Sequence, residues 1–312
     1  MRAPPRAAAA SRWPGPVTAA PAEVAAMRRA IAVSAAGLGT TSPDPPAGCV
    51  LLGPGGVLLG EGYHERKGEP HAVAQALTAA GPLPAGPVAV LTLEPCTGDG
   101  GAPGCSQALI GAGVSRVLIA VSDPAPAGPG GSAMLRAAGL DVEAGVLAAE
   151  AAVVLGGWLG SRRAGRPVIT WPYLIAGHGV VAVPNGTDNA RLLRLTADAV
   201  LRPDGRMTEA IPGSHGNGVL GLPGELAGAD PAAIAAAAYQ GGVRRLLLGG
   251  GLDVAAPFLA AGLVDQVIAY IPHGNGSRKP SGTLPWPLLP PGFAITAAVR
   301  LAGFVRIEAQ PG

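Results

Sequence analysis

Lysine is nearly missing from this chain of 312 residues: it stands only at Lys67 and Lys279, while lysine and arginine together number 22. The formal net charge is only +2, and no basic cluster is interleaved with aromatics, which argues against a nucleic-acid partner. No apolar run reaches the length of a membrane span, so no membrane partner is expected either. Three cysteines, Cys49, Cys96 and Cys105, are too few for a disulfide framework and suggest a reduced, cytoplasmic setting. Charged residues make up just 13%, but 48% of the chain is hydrophobic, which excludes disorder by composition. The first stretch, MRAPPRAAAASRWPGPVTAAPA, has no continuous apolar segment of the secretory kind and reads as a disordered tail over residues 1–22.

Glycine (49) and proline (33) are plentiful, and they punctuate apolar runs, marking turns. With the preference for arginine over lysine, this composition fits a GC-rich bacterial genome. Val24, Met27, Ile31 and Leu38 recur at helical spacing, ended by Gly37 and Gly39. AGCVLLG and VLLGEGY flank the turn PGG as a hairpin. A helix from His71, a strand in PVAVLTL, a helix near Cys105 and a strand in RVLIAV follow. SAMLRAAG, LDVEAG and VLAAEAAVVLGGWL continue the alternation, which predicts a layered α/β domain over residues 23–160. SRRAGRP reads as a linker to a second α/β unit, residues 166–312. That unit starts with PVITWPYLIAG, loosens between Arg202 and Asp230, and resumes through PAAIAAAAYQGG, VRRLLLGGG, DVAAPFLAAG and VDQVIAYI.

One constellation carries chemistry. His71 in KGEPHAVAQAL, Cys96 in LEPC and Cys105 supply one imidazole and two thiols. Zinc favours this donor set, and three protein ligands leave a fourth tetrahedral position for water. Cys105 leads into a helix, whose N-terminus favours the thiolate that metal binding requires. By residue type alone, two buried cysteines and a surface histidine describe the same positions. The contexts PHA and LEPC…C favour zinc.

At these residues the chain resembles the bifunctional riboflavin-biosynthesis deaminase/reductase family. The matching runs are TSPDPPAGCVLLGPGGVLLGEGYHERKGEPHA, LEPCTGDGGAPGCSQALIGAGVSRVLIAVSDPAP and LRAAGLDV, with eight residues between Cys96 and Cys105 as in the family. The resemblance implies a three-layer cytidine-deaminase-like domain with a mixed sheet and zinc on His71, Cys96 and Cys105. It also implies a small-molecule substrate of the diaminopyrimidinone ribosyl-phosphate type, and a homo-oligomer is expected. GRPVIT, ADAVL, VRRLLLGGGLDVAAPFLAAGLVDQVIAYI and VRLAGFVRIEAQ resemble the family's NADPH-dependent reductase half, here a shortened α/β domain. Gly250 and Gly251 in LLLGGG are its cofactor-binding candidates, through backbone N–H groups that can approach a phosphate.

The departures bear directly on function. The family's His-Ala-Glu is here His71-Ala72-Val73. In zinc deaminases that glutamate is the general acid/base and not a ligand, and valine can neither take nor give a proton. Of the nearby carboxylates, Glu69 and Glu94 occupy ordinary family positions, and Asp99 is a weak substitute candidate, since a solvated loop aspartate describes it better. Asp44 stands where the family has asparagine. In the second half Pro172, Ala176 and His178 replace polar residues, and Gly249 replaces an acidic one, which argues against NADPH binding. Cys49 reads as a small buried residue, His178 and His273 as loop or strand-end histidines, and His64 as a residue near the end of the hairpin. Two functions follow: a riboflavin-type deaminase, or a catalytically lapsed or repurposed zinc-binding homologue.

Overall fold

The computed structural model describes residues 18–98, 103–126, 128–176, 179–224, 226–272 and 288–312. Most of the tail, residues 1–17, together with Asp99, His178 and His273, lies outside them. The chain divides into two compact units, and neither is one unbroken stretch. The first takes the chain up to Ser34 with Ala47–Tyr63 and Pro70–Val153, and the second takes Ala35–Pro46, His64–Glu69 and Val154–Gly312.

In the first unit, α1 (Pro21–Ser34) precedes the hairpin β1 (Gly48–Leu52) and β2 (Leu58–Tyr63). Then come α2 (Ala72–Ala80), β3 (Val88–Leu93), α3 (Cys105–Gly111), β4 (Arg116–Val121), α4 (Gly131–Ala137) and β5 (Asp141–Ala144). The sheet order is β2-β1-β3-β4-β5. β1 runs antiparallel to β2 and β3, whereas β3, β4 and β5 are parallel, so the sheet is mixed as expected.

Both faces of its central strands are covered, which explains why they read as apolar runs without alternation. Cys49, Leu51, Ala89, Leu91, Val117 and Ile119 share one face with Ala72, Val73 and Ala76 of α2, Leu109 of α3 and Leu135 of α4. Val50, Val90 and Leu118 are buried on the other face. There α1 comes so close that a Cβ on Gly48 would lie 2.2 Å from the Ala30 carbonyl oxygen.

α5 (Ala148–Ala164) carries the chain from one unit into the other. The expected linker at SRRAGRP is therefore corrected: Ser161–Ala164 are the last helical residues, and only Gly165–Pro167 separate them from the next strand. Ser161 is fully buried, and Arg162 stacks 5.7 Å from the Trp158 ring, so packing extends the helix past the sequence signal.

The second unit contains β6 (Val168–Ala176), β7 (Gly179–Ala182), α6 (Asp188–Leu195), β8 (Ala199–Leu201), β9 (Met207–Glu209) and α7 (Pro231–Gln240). It closes with β10 (Arg245–Leu248), α8 (Leu252–Ala260), β11 (Gln266–Pro272), β12 (Phe293–Leu301) and β13 (Phe304–Pro311). The order β12-β13-β11-β6-β10-β8-β9, with β7 on β6, combines parallel β11, β6, β10 and β8 with antiparallel edges. Pro172 is tolerated in a central strand because the β10 pairing ends at Thr170 and the β7 pairing begins at Tyr173. The core is built on Ile169, Trp171, Tyr173 and Ile175 of β6, each at most 2% exposed, packed against α7 and α8. Among the described residues no helix is long and apolar enough to cross a membrane.

Candidate metal centre

Three elements of the first unit deliver the donors. His71 is the N-cap of α2, in extended conformation with φ −67° and ψ 160°. Two glycines of β2 set the position of that helix: a Cβ on Gly62 would lie 2.6 Å from the Ala72 carbonyl oxygen, and one on Gly60 2.5 Å from that of Ala76. Cys96 follows the end of β3, and Cys105 opens α3. The segments next to the two cysteines approach closely, since a Cβ on Gly104 would meet the Thr97 carbonyl carbon at 2.2 Å. Ser106 ties the two ends together, its N–H donating to the Cys96 carbonyl at 3.0 Å and its hydroxyl to that of Pro95 at 3.3 Å.

The result is one compact cluster. Nδ1 of His71 lies 3.6 Å from Sγ of Cys96 and 3.4 Å from Sγ of Cys105, and all three donor atoms fall within 4.8 Å of one another. The Cys105 N–H also points at the Cys96 sulfur, at 3.4 Å. Hydrogen bonding from Cys105 and then from His71 pulls the Cys96 thiol down to about 3. Cys105 is pushed up, first by its hydrogen bond to Cys96 and then by burial. A divalent cation bound by both sulfurs would favour the thiolate form of each. Two thiolates and an imidazole fit zinc by softness and by number.

Val73, on the first turn of α2, is 4% exposed and belongs to the apolar cluster with Cys49, Ala76 and Leu109. Among the described residues of this unit, no carboxylate joins the three donors within 4.8 Å. Glu94 is occupied elsewhere: its carboxylate accepts from the backbone N–H groups of Asp123 at 3.2 Å and Ser132 at 2.9 Å, tying the end of β3 to α4. Cys49 is fully buried, and desolvation raises its thiol far above the ordinary range, as expected of a packing residue. Glu69 and His64 lie in segments of the second unit, where His64 sits 3.5 Å from the Asp44 carboxylate and Lys67 donates to that carboxylate at 3.1 Å.

In the second unit, Gly250 and Gly251 form the turn from β10 into α8. Their first use is packing. A Cβ on Gly250 would strike Val254 at 2.1 Å, and the Gly250 carbonyl accepts from the Trp171 indole at 3.2 Å. The Asp253 carboxylate lies 3.1 Å from where a Gly251 Cβ would be, placing negative charge beside the turn. The neighbouring shallow cleft is lined mainly by apolar side chains including Pro172, Val183, Leu193 and Leu247. Its one arginine, Arg194, donates to Asn185 at 2.7 Å.

Residues 22–121 match the cytidine and deoxycytidylate deaminase zinc-binding region. The chain is 43% identical over 174 residues to riboflavin biosynthesis protein RibD of Mycobacterium tuberculosis, a match covering 52% of this chain and 51% of that protein. It thus spans about half the length of such relatives. It is 39% identical over 142 residues to the diaminohydroxyphosphoribosylamino-pyrimidine deaminase of Buchnera aphidicola, covering 45% of this chain and 96% of that one. The solved deaminase/5-amino-6-(5-phosphoribosylamino)uracil reductase of Thermotoga maritima shares the fold, with a TM-score of 0.75 at 22% identity, covering 93% of this chain and 99% of that one.

Proposed function

Because this chain belongs to the riboflavin-biosynthesis deaminase/reductase family, we propose that residues 23–160 form a zinc-dependent deaminase domain for a diaminopyrimidinone ribosyl phosphate. We further propose that His71, Cys96 and Cys105 hold the zinc, and that the reductase-like residues 166–312 bind NADPH weakly or not at all. The protein acts on this small molecule in the cytoplasm, as a homo-oligomer. The observation that carries the reading is the convergence of one imidazole and two sulfurs within 4.8 Å at the junction of a strand and two helices.

Bound zinc supplies Lewis-acid activation of water for attack on the amino-bearing carbon. The chain supplies the rest. His71 is fixed at the mouth of α2, Cys96 is held by the Cys105 N–H, and the buried face of α2 keeps bulk water from the apolar side of the cluster. Exchanging an amino group for water also needs a proton moved onto the departing nitrogen. Val73 supplies no such group, and a positioned acid–base residue is worth about 10²–10⁴-fold in rate. Deamination by this chain is therefore slow, with protons relayed by solvent.

The same valine favours the second reading, a lapsed or repurposed zinc-binding homologue. Against NADPH stand the Asp253 carboxylate beside the glycine turn and a cleft whose only cation is already hydrogen-bonded. The deciding experiment is ammonia release from the diaminopyrimidinone ribosyl phosphate by zinc-loaded protein, with metal content measured on the same sample. Slow release that disappears in Cys96→Ala supports the deaminase. Full zinc occupancy with no release removes the deaminase reading and leaves the repurposed one.

A further inference from the structure

Of the three donors, Cys96 draws least on secondary structure. His71 and Cys105 stand at the N-termini of α2 and α3, whereas Cys96 comes three residues after the end of β3, in a stretch that is neither helix nor strand. Its place is therefore set by contacts from outside its own segment. Glu94, two residues ahead of it, supplies such contacts through both of its carboxylate oxygens.

The Glu94 backbone N–H donates to the Val121 carbonyl at 2.8 Å, at the last step of the β3–β4 ladder. From there the side chain reaches on to two further segments. Oε2 accepts from the Asp123 N–H at 3.2 Å, and Oε1 accepts from the Ser132 N–H at 2.9 Å. One side chain thus joins the end of β3, the turn leaving β4 and the first turn of α4. Only a carboxylate serves both donors, because an amide has an oxygen on one side and a donor on the other. The surroundings leave room for it: Gly130 has φ +83°, and a Cβ there would lie 2.8 Å from Oε1 of Glu94. The Asp123 carboxylate accepts from the Ala125 N–H at 2.9 Å, folding the turn that presents the Asp123 N–H.

The hold passes on to the ligand. A Cβ on Gly131 would lie 1.9 Å from the Pro95 carbonyl oxygen, so the start of α4 rests on the backbone between Glu94 and Cys96. From the α3 side, Ser106 donates its hydroxyl to the Pro95 carbonyl and its N–H to the Cys96 carbonyl. Residues 94–96 are gripped between two helix starts, and the grip of α4 runs through the Glu94 carboxylate. We propose that Glu94 is a positioning residue of the metal centre, holding the Cys96 arm where its sulfur meets those of Cys105 and Nδ1 of His71. This deepens the zinc reading and rests on it. Metal sites weaken when the groups that orient a ligand are removed.

The test uses full-length native, Glu94→Gln and Glu94→Ala proteins, loaded with zinc or with cobalt(II), whose visible absorption reports coordination geometry. Zinc affinity is read by competition with a colorimetric chelator, and stability of the metal-free proteins by denaturant titration. Val90→Ala, a buried change on the opposite face of the sheet, is the control for lost stability alone. Glu94→Ala is expected to bind zinc at least ~10-fold more weakly and to shift the cobalt spectrum. Glu94→Gln keeps one of the two acceptors and should lose affinity ~3-fold or more. Val90→Ala should lose stability with native affinity and spectrum. Should Glu94→Ala fail to fold, Glu94→Gln carries the test. Native affinity and spectrum in the folded Glu94 variants would overturn the proposal. So would losses no larger than those of Val90→Ala, which would leave Glu94 a role in folding alone. Metal binding by the native protein that survives Cys96→Ala would instead overturn the zinc assignment, and this proposal with it.

Discussion

Replacing Val73 with glutamate changes stability and chemistry in opposite directions, and both changes can be sized. Val73 is 4% exposed, so the substitution removes burial of a small branched side chain worth about 1.5–3 kcal/mol. The two methylenes of glutamate return roughly 1.6 kcal/mol at ~0.8 each. Desolvating the carboxyl group costs about 1–3 kcal/mol, of which one hydrogen bond recovers about 1. The balance is a loss of about 2 kcal/mol, or a Tm lower by roughly 4–8 °C at ~2–4 °C per kcal/mol. The rate of ammonia release should meanwhile rise at least ~10²-fold. Val73→Gln is the control: it has nearly the same volume but stays neutral and so costs less to desolvate, and it should show no larger a Tm drop and no gain in rate. Calorimetric scans and an ammonia-coupled assay on the three proteins settle the matter. Equal rates in the glutamate and glutamine variants would refute the reasoning. So would a native rate already within ~1–10³ s⁻¹, the range typical of enzymes, and unmoved by Val73→Glu.

Cys96→Ala and Cys105→Ala should each bring zinc from about one per chain to near zero by elemental analysis, because a site of three protein ligands does not survive loss of one thiolate. Unchanged zinc in either would remove these ligands from the assignment. Gly62→Ala should cost about 1–3 kcal/mol and reduce zinc retention, because the new Cβ would sit 2.6 Å from the Ala72 carbonyl oxygen and push the helix that presents His71. Denaturant titration with parallel metal analysis checks both effects. Titration with micromolar NADPH should give no binding signal, and a saturable one would restore the reductase reading to the second half.

Much of the first unit was legible because its elements obey local rules. The hairpin around PGG, the buried strand VAVLTL and the helix opening beside Cys105 all appear where pattern and punctuation place them. The convergence of His71, Cys96 and Cys105 follows from the same signals, each residue standing at the boundary of an element that the sequence marks. What remained hidden depends on distant partners. β7 and β9 are four and three residues long and exist through pairing with β6 and β8. The last turn of α5 looked like a linker, since its arginines and serine become helical through packing that only the folded chain supplies. The clasp made by Glu94 gave no signal beyond a carboxylate ahead of Cys96, because Asp123 and Ser132 stand far along the chain and meet it only across the strand ends.

The second unit is assembled from Ala35–Pro46, His64–Glu69 and Val154–Gly312, so its boundary in space is not a boundary in sequence. A gene cut near codon 160 would not excise one module and spare another. It would leave two short segments of the amino-terminal half without the body they pack into, and would cut through α5. A half of the chain that did no chemistry of its own would still be needed by these two segments. Deletions and frameshifts in the later half would therefore also unseat loops encoded far upstream, Ala35–Pro46 and His64–Glu69.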